Sequence, residues 1–374
     1  MYKYIKGLQN FPTTLAYIMA KNDLTNDFSR LRAATDWLLA AQAAAGGTGY
    51  AHSYHLIYGW QPPYPETTGY LIPSMLRANS ILHDDRLTES VKYALNWLLN
   101  IQSEDGHFCD LQGNPQVFDT GQILIGLNYI AEHHPEIARV EGNLRRAAGW
   151  LSHIQEPDGS FVKHAYNNRP HTYYSRVGAA LIKSGQLLDD ESIQNAGIKN
   201  ISWTMNQQMD NGFFNYLSFD NHAPFLHTIA YVIEGLLDAF SLTNNQQHYD
   251  SATRLSDRLL ELTQDSSLLR SQYNAQFDID NPHLCTTGLA QWAGICFRIT
   301  HISGNTAYQE DGIRSLNAVA AHQIISNNRN IHGALPGSVP VYGNYLRLAF
   351  PNWGMKFFID GLLAKGLDPS NYNT

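Results

Sequence analysis

The chain has 374 residues, 44% of them hydrophobic and 16% charged, with a formal net charge of −8. That composition suits a packed globular core, and an acidic balance without any Lys/Arg cluster argues against a nucleic-acid partner. Three cysteines (Cys109, Cys285, Cys296) make an odd count without metal-like spacing, which points away from a disulfide framework.

Residues 1–25 contain no apolar run long enough for a signal peptide or a membrane span. A leader packed on the first repeat, no membrane insertion and a cytoplasmic location are therefore expected. From about Asp27 the pattern becomes long helical segments separated by loops rich in Gly, Pro, Asn and Asp. One series lies near residues 27–44, 86–103, 138–155, 190–208, 246–265 and 305–325. Its first four members carry the same words: Trp37–Gln42–Gly46, Trp97–Gln102–Gly106, Trp150–Gln155–Gly159 and Trp203–Gln208–Gly212 all fit Trp-x4-Gln-x3-Gly. The last three copies each add a Phe two residues after the Gly (Phe108, Phe161, Phe214). Gly stands where a left-handed turn would end the helix. The fifth and sixth members keep a Gln in step (Gln264, Gln323) but lose the Trp and the nearby Gly.

A second series alternates with the first, near residues 66–83, 118–133, 171–188, 225–243, 284–301 and 350–365. These segments are apolar almost all round, the composition of helices buried on every side. Such self-similarity means stacked units that cannot bury their apolar faces alone. Six amphipathic outer helices alternating with six buried inner ones close most simply into an all-α (α/α)6 toroid. A single domain spanning 1–374 is expected, with no strand-rich partner.

The repeated Gln-x3-Gly-x-aromatic resembles the repeats of six-hairpin glycosidases and of terpenoid-cyclase-like toroids, over about residues 27–365. The run YGWQPPYPETTGYLIP (Tyr58–Pro73), following WLLAAQ, resembles the VpsJ-type proteins of exopolysaccharide gene clusters. That resemblance implies a part in polysaccharide biosynthesis or processing.

In a toroid of this kind the loops entering the inner helices converge on one rim. Two carboxylates stand there at the starts of consecutive inner helices, Glu66 and Asp119. Helix axes pack roughly 8–10 Å apart, near the ~6.5–9.5 Å that separates the acid and base of an inverting glycosidase. Six-hairpin glycosidases, unsaturated glucuronyl hydrolases among them, similarly take acidic residues from inner-helix starts. The competing reading is that both are helix caps: Asp119-Thr-Gly-Gln122 has the form of a capping box, and Glu66 suits any first turn.

A second constellation holds Asn168, Arg169, His171, Tyr173, Tyr174 and Arg176, with His227 and Tyr231 from the next repeat and Lys163 and His164 close in sequence. An Asn or Arg to neutralise a uronate, with His and Tyr as base and acid, is what β-elimination or C5 epimerisation requires. NNRPHTYY loosely resembles the Asn-Asn-His…Tyr arrangement of α/α-toroid alginate lyases, with Arg169-Pro170 inserted before the His. Trp60, Tyr64, Tyr70, Trp292 and Trp353 would offer stacking platforms to sugars, and Asn168, Arg176, Tyr231, His283 and Arg347 polar contacts.

No metal or cofactor is expected. His52-Ser-Tyr-His55 and Glu132-His133-His134 are spaced closely enough to bind a metal, but surface histidines usually do not. GxGxxG, P-loop, HExxH and GxSxG motifs are absent. Terpene cyclisation would call for an Asp-rich motif, and only the pairs Asp84-Asp85 and Asp189-Asp190 occur, both at outer turns. The sequence thus points to a carbohydrate-active enzyme, with glycosidic hydrolysis by Glu66 and Asp119 as the leading reaction. A lyase or uronate C5-epimerase run by His171, Tyr174 and His227 is the alternative, and a non-catalytic sugar-binding protein of polysaccharide biosynthesis the third.

Overall fold

The computed structural model describes residues 2–20 and 26–367. Of the leader, Tyr2–Ile18 forms α1, while residues 1 and 21–25 lie outside the described residues. Six helical hairpins follow: α2 (Asp27–Ala44) with α3 (Pro65–Leu82), α4 (Asp85–Ile101) with α5 (Val117–His133), α6 (Glu141–Ile154) with α7 (Ser175–Leu188), α8 (Glu191–Met205) with α9 (Leu226–Thr243), α10 (Gln246–Glu261) with α11 (Thr286–Ser303), and α12 (Thr306–Ala320) with α13 (Asn352–Leu362). The alternation matches the sequence pattern to within a few residues at most ends. A difference is α7, where a 3-10 turn at Thr172–Tyr174 precedes the helix proper.

The two series differ as their compositions require. Along α9 the apolar run leaves twelve residues buried, whereas α10 buries only one stripe. Most of their starts differ too, with α6 of the outer series uncapped and α11 of the inner series capped by the Cys285 side chain. Outer helices α2, α8, α10 and α12 carry side-chain N-caps from Asn26, Asp190, Asn245 and Asn305. Inner helices α3, α5, α7, α9 and α13 have no side-chain cap bond. Their first N–H groups are therefore left for loops or ligands.

The repeated Gln is a tether. Gln155 Nε2 donates to the Gly159 carbonyl of its own turn at 3.1 Å and to the Ala196 carbonyl of the next outer helix at 2.9 Å. Gln102 reaches Gly106 and Asn143 in the same way, and Gln208 reaches Gly212 and Ser251. Two buried carbonyls that need donors are satisfied by each side chain. The glycines are required by contact as well as by conformation: a Cβ at Gly106 would stand 2.2 Å from the Arg146 carbonyl oxygen, and its φ is +106°. Gln323 keeps the tether, to Gly333 and to Arg30, so the sixth copy has its Gly displaced by an insertion rather than lost. Gln264 is exposed and departs from the pattern.

The chain divides into two compact units. One holds the chain up to Tyr64, Ser74–Asn96, and the chain from Pro282 onward; the other holds Pro65–Pro73 and Trp97–Asn281. In the first unit, α1 is fastened by Asn10, whose Nδ2 donates to the Ile57 carbonyl and whose Oδ1 accepts from the Tyr54 hydroxyl. A small antiparallel sheet there orders β1 (Ser53–His55) between β2 (Gly59–Trp60) and a strand at Ala349–Pro351. In the second unit the start of α3 lies tightly on α5: a Cβ at Gly69 would meet Ile123 at 2.6 Å, and one at Gly126 would meet the Gly69 carbonyl at 2.3 Å. Among the described residues, no helix is long and apolar enough to cross a membrane.

Candidate active site

Within the second unit, Pro65 fixes the first turn of α3 and Glu66 follows it. Asp119 sits in the first turn of α5. The capping-box reading fails, because Gln116 is the N-cap residue and Asp119 lies inside the helix. Gln122 is engaged elsewhere: its Oε1 accepts from Arg176 Nε at 3.1 Å. Asp119 is 5% exposed, while Glu66 keeps a partly exposed side.

The two carboxyls act on one another. Burial, then the charge of Asp119, hold the Glu66 carboxyl well above the usual carboxylate range, against the opposing pull of Arg176. Desolvation penalises the charged form, and a like charge nearby adds to that penalty. Arg176 is itself buried. Its Nη1 meets Glu234 Oε2 at 2.7 Å, and its guanidinium lies 5.2 Å from the Tyr231 ring centroid. Burial pulls its pKa down, and the charges of Glu234 and Asp238 more than offset this. Arg176 is thus a fixed cation held by Glu234 and Gln122, rather than an arm reaching for substrate.

An aromatic wall adjoins the carboxylates. Phe118, partly exposed, packs against Tyr173, Tyr174 and Tyr231 at centroid distances of 5.3, 5.4 and 5.3 Å. Tyr70, expected as a stacking platform, is 1% exposed and hydrogen-bonds to Tyr231, so it presents no ring face to a sugar. Burial and the charge of Glu66 push the Tyr231 hydroxyl pKa up.

The His/Tyr constellation is brought together, but its polar atoms face inward. His171 Nε2 lies 2.9 Å from the Tyr166 carbonyl, and Tyr174 Oη accepts from the Tyr166 N–H at 2.9 Å. Both side chains brace the turn at Tyr166–Asn168. Burial lowers the His171 pKa and raises those of Tyr173 and Tyr174. His227, 5% exposed, packs on Tyr231 at 4.3 Å. Asn168 and Arg169 are exposed, Arg169 bonding Asn221 at 2.9 Å.

The remaining candidate binding residues belong to the first unit. Trp292 is fully buried and its Nε1 donates to Asp311, which makes it a core residue and not a platform. Trp60 packs on Trp37 and Tyr54 and donates to Asn330 Oδ1. Tyr64 and Trp353 flank His52, each with a centroid distance of 6.3 Å. His283 is half-buried against Tyr342, and Arg347 is exposed. His55 Nδ1 accepts the Ile57 N–H, and Glu132 pairs with Lys183, so both histidine clusters are otherwise occupied. Among the described residues no group of three or more His, Cys, Asp or Glu side chains is arranged to hold a metal ion.

Two participants escaped the sequence reading, Glu234 and Asp238. The signal was present: they are the acidic residues in LHTIAYVIEGLLDAF, an otherwise apolar helix. A charge placed there must meet a partner.

No protein-family model matches the chain. Squalene–hopene cyclase from Zymomonas mobilis is 24% identical over 215 residues, which cover 52% of this chain and 31% of that protein. The match therefore spans about a third of the cyclase. Among solved structures, unsaturated glucuronyl hydrolase from Bacillus sp. GL1 superposes with a TM-score of 0.71 at 12% identity, covering 92% of this chain and 97% of the other. Cellobiose 2-epimerase from Bacillus thermoamylovorans gives a TM-score of 0.67 at 11% identity, covering 90% and 98%. At such identities the likeness is one of architecture, and the chain has an (α/α)6-toroid fold.

Proposed function

We propose that this protein is a carbohydrate-active enzyme that hydrolyses a glycosidic bond in an acidic exopolysaccharide or its oligosaccharides. The observation that carries the reading is the placement of Glu66 and Asp119 in the first turns of two inner helices packed on one another, where burial and the Asp119 charge raise the Glu66 pKa. In this scheme Glu66 donates its proton to the leaving oxygen. Asp119 takes the proton of the attacking water. Pairs of carboxyls pushed apart in pKa by their surroundings are how such enzymes assign acid and base. Phe118 would give the sugar an apolar face to rest on. The fold supports the reading, since a glucuronyl hydrolase and a cellobiose epimerase share it.

The likeness to squalene–hopene cyclase favours a different chemistry, but the acidic pairs that cyclisation would call for are taken up locally. Asp84 is held by Arg86 and Arg32, and Asp190 caps α8. A His171/Tyr174 lyase or epimerase is weakened by the engagement of both side chains with Tyr166.

The test is product analysis after incubation with a panel of uronate-containing and neutral oligosaccharides. Hydrolysis by the parent, abolished in both Glu66→Gln and Asp119→Asn, is expected. Unsaturated or epimerised products that survive both substitutions would overturn the mechanism. Oligosaccharide binding without any product would leave a sugar-binding protein.

A further inference from the structure

The second unit carries a groove of about 640 Å³ against α6. Its lining includes Arg145, Arg146, His153, Lys163 and His164 around the edge of Trp150, with Asp105 as the acidic member. Lys163 and His153 are exposed, and Trp150 is 9% exposed between the rings of His107 and His164 at 5.3 and 5.7 Å. Arg145 also meets Asp190 at 3.4 Å and Glu141 at 3.8 Å, and Arg146 donates to Gln102 at 2.8 Å. In a chain of net charge −8 the groove gathers three cations, Arg145, Arg146 and Lys163, of which Lys163 is exposed and Arg145 is shared with Glu141 and Asp190.

The internal repeat separates what the scaffold needs from what was added. Counted from the repeated Trp, the five basic positions Arg145, Arg146, His153, Lys163 and His164 become Ile198, Lys199, Asn206, Tyr216 and Leu217 in the next copy. In the preceding copy they become Lys92, Tyr93, Asn100, Asp110 and Leu111. The Trp and Gln do their structural work in those copies without the cluster, so packing does not account for it. The groove is also joined to the carboxylate site: the His164 carbonyl accepts the N–H of Val117, two residues before Asp119.

We propose that this groove is a subsite for the anionic groups of an acidic carbohydrate chain whose scissile bond lies at Glu66 and Asp119. It rests on the carbohydrate reading above and assigns the substrate's charge to a place. Guanidinium and ammonium groups donate charge-assisted bonds to carboxylate or sulfate oxygens, and their field draws a polyanion in.

The experiment is isothermal titration of the parent, Lys163→Glu and Glu66→Gln with four probes: a glucuronate-rich hexasaccharide, a neutral hexasaccharide, sodium sulfate and a single-stranded oligonucleotide. For the parent, affinity for the acidic hexasaccharide should fall with added NaCl. Lys163→Glu should weaken it about tenfold, the loss expected for a charged hydrogen bond, while the neutral hexasaccharide is unaffected. Because Lys163 is exposed, the substitution should leave the fold intact. Unchanged binding in Lys163→Glu, or an equal loss for the neutral probe, would overturn the subsite. Sulfate binding as tightly as the hexasaccharide would reduce it to a small-anion site, and equal binding of a single-stranded oligonucleotide to a general polyanion patch. If Glu66→Gln still turned substrate over while Lys163→Glu lost affinity, the mechanism would fall and the subsite stand. Full turnover by Lys163→Glu at low substrate concentration would do the reverse.

Discussion

Asp360 in the first unit and Glu66 in the second are both acidic side chains withdrawn into helical interiors, and their surroundings send them in opposite directions. Asp360 is 20% exposed and meets Arg77 at 2.6 Å, Lys356 at 2.7 Å and the Ser74 hydroxyl at 2.7 Å. Burial alone would raise its pKa, but the two cations outweigh burial and hold it below the usual range. Glu66 has another carboxylate as its neighbour, and its nearby cation, Arg176, is already bound to Glu234. The first arrangement stabilises a charge that structure needs. The second destabilises a charge, and so makes Glu66 hold its proton more tightly than an ordinary carboxyl. Perturbation by itself does not mark a site; its direction and the identity of the partners do.

The largest expected effect falls on turnover. Glu66→Gln keeps the shape and removes the transferable proton, so the rate on a hydrolysed oligosaccharide should drop by about 10³, in the range of general acid catalysis. Binding of the same oligosaccharide should change little. If steady-state kinetics showed an unchanged kcat, Glu66 would be an ordinary buried residue and the contrast with Asp360 would lose its meaning.

Stability should respond in the other sense. Asp360→Asn leaves Arg77 and Lys356 facing a neutral amide, and breaking a buried pair of this kind costs about 3 kcal/mol. Urea midpoints should place that variant well below the parent. Glu66→Gln removes an uncomfortable carboxyl and should be neutral or stabilising. Destabilisation of both variants to the same degree would mean that Glu66 is a structural charge like Asp360.

The pH dependence follows with its sign. Glu66 has its pKa raised on folding, so the folded chain binds more protons than the unfolded one between the two pKa values. Its contribution to stability therefore falls as pH rises from the ordinary carboxylate value through the raised one. Asp360, depressed on folding, contributes fully above the ordinary value and loses its contribution as pH falls through the folded one. Thermal melts of Glu66→Gln and the parent should hence diverge with rising pH, and those of Asp360→Asn and the parent should converge with falling pH. Parallel curves for either pair would refute the assignment of that group.

The helical alternation was legible because period and burial are written residue by residue: Gln155 and Gly159 recur, and α9 is apolar all round. Glu66 and Asp119 were legible as residues at inner-helix starts. Their electrostatic surroundings were not, since Arg176, Glu234 and Gln122 come from three different inner helices and meet only in space. Composition also could not separate Trp292 from Trp353. Both are tryptophans on inner helices, yet one donates to buried Asp311 and the other stacks on His52. The capping-box pattern at Asp119 misled for a related reason: helix α5 begins at Val117, so the same four letters fall one turn deeper.

Glu234 gives the finest way to probe the contrast. Removing its charge by Glu234→Gln leaves Arg176 buried at the same place, with its field acting more fully on Glu66. The Glu66 pKa should then move down, toward the behaviour of Asp360. If Glu66 is the general acid, its loss of a proton sets the alkaline limb of the rate profile, and that limb should shift to lower pH. Glu234→Asp, which keeps the charge, should restore the parent profile in part. A purely structural Glu234 would instead lower the rate equally at every pH. Only a movement of the limb would show that this glutamate governs where the site holds its proton.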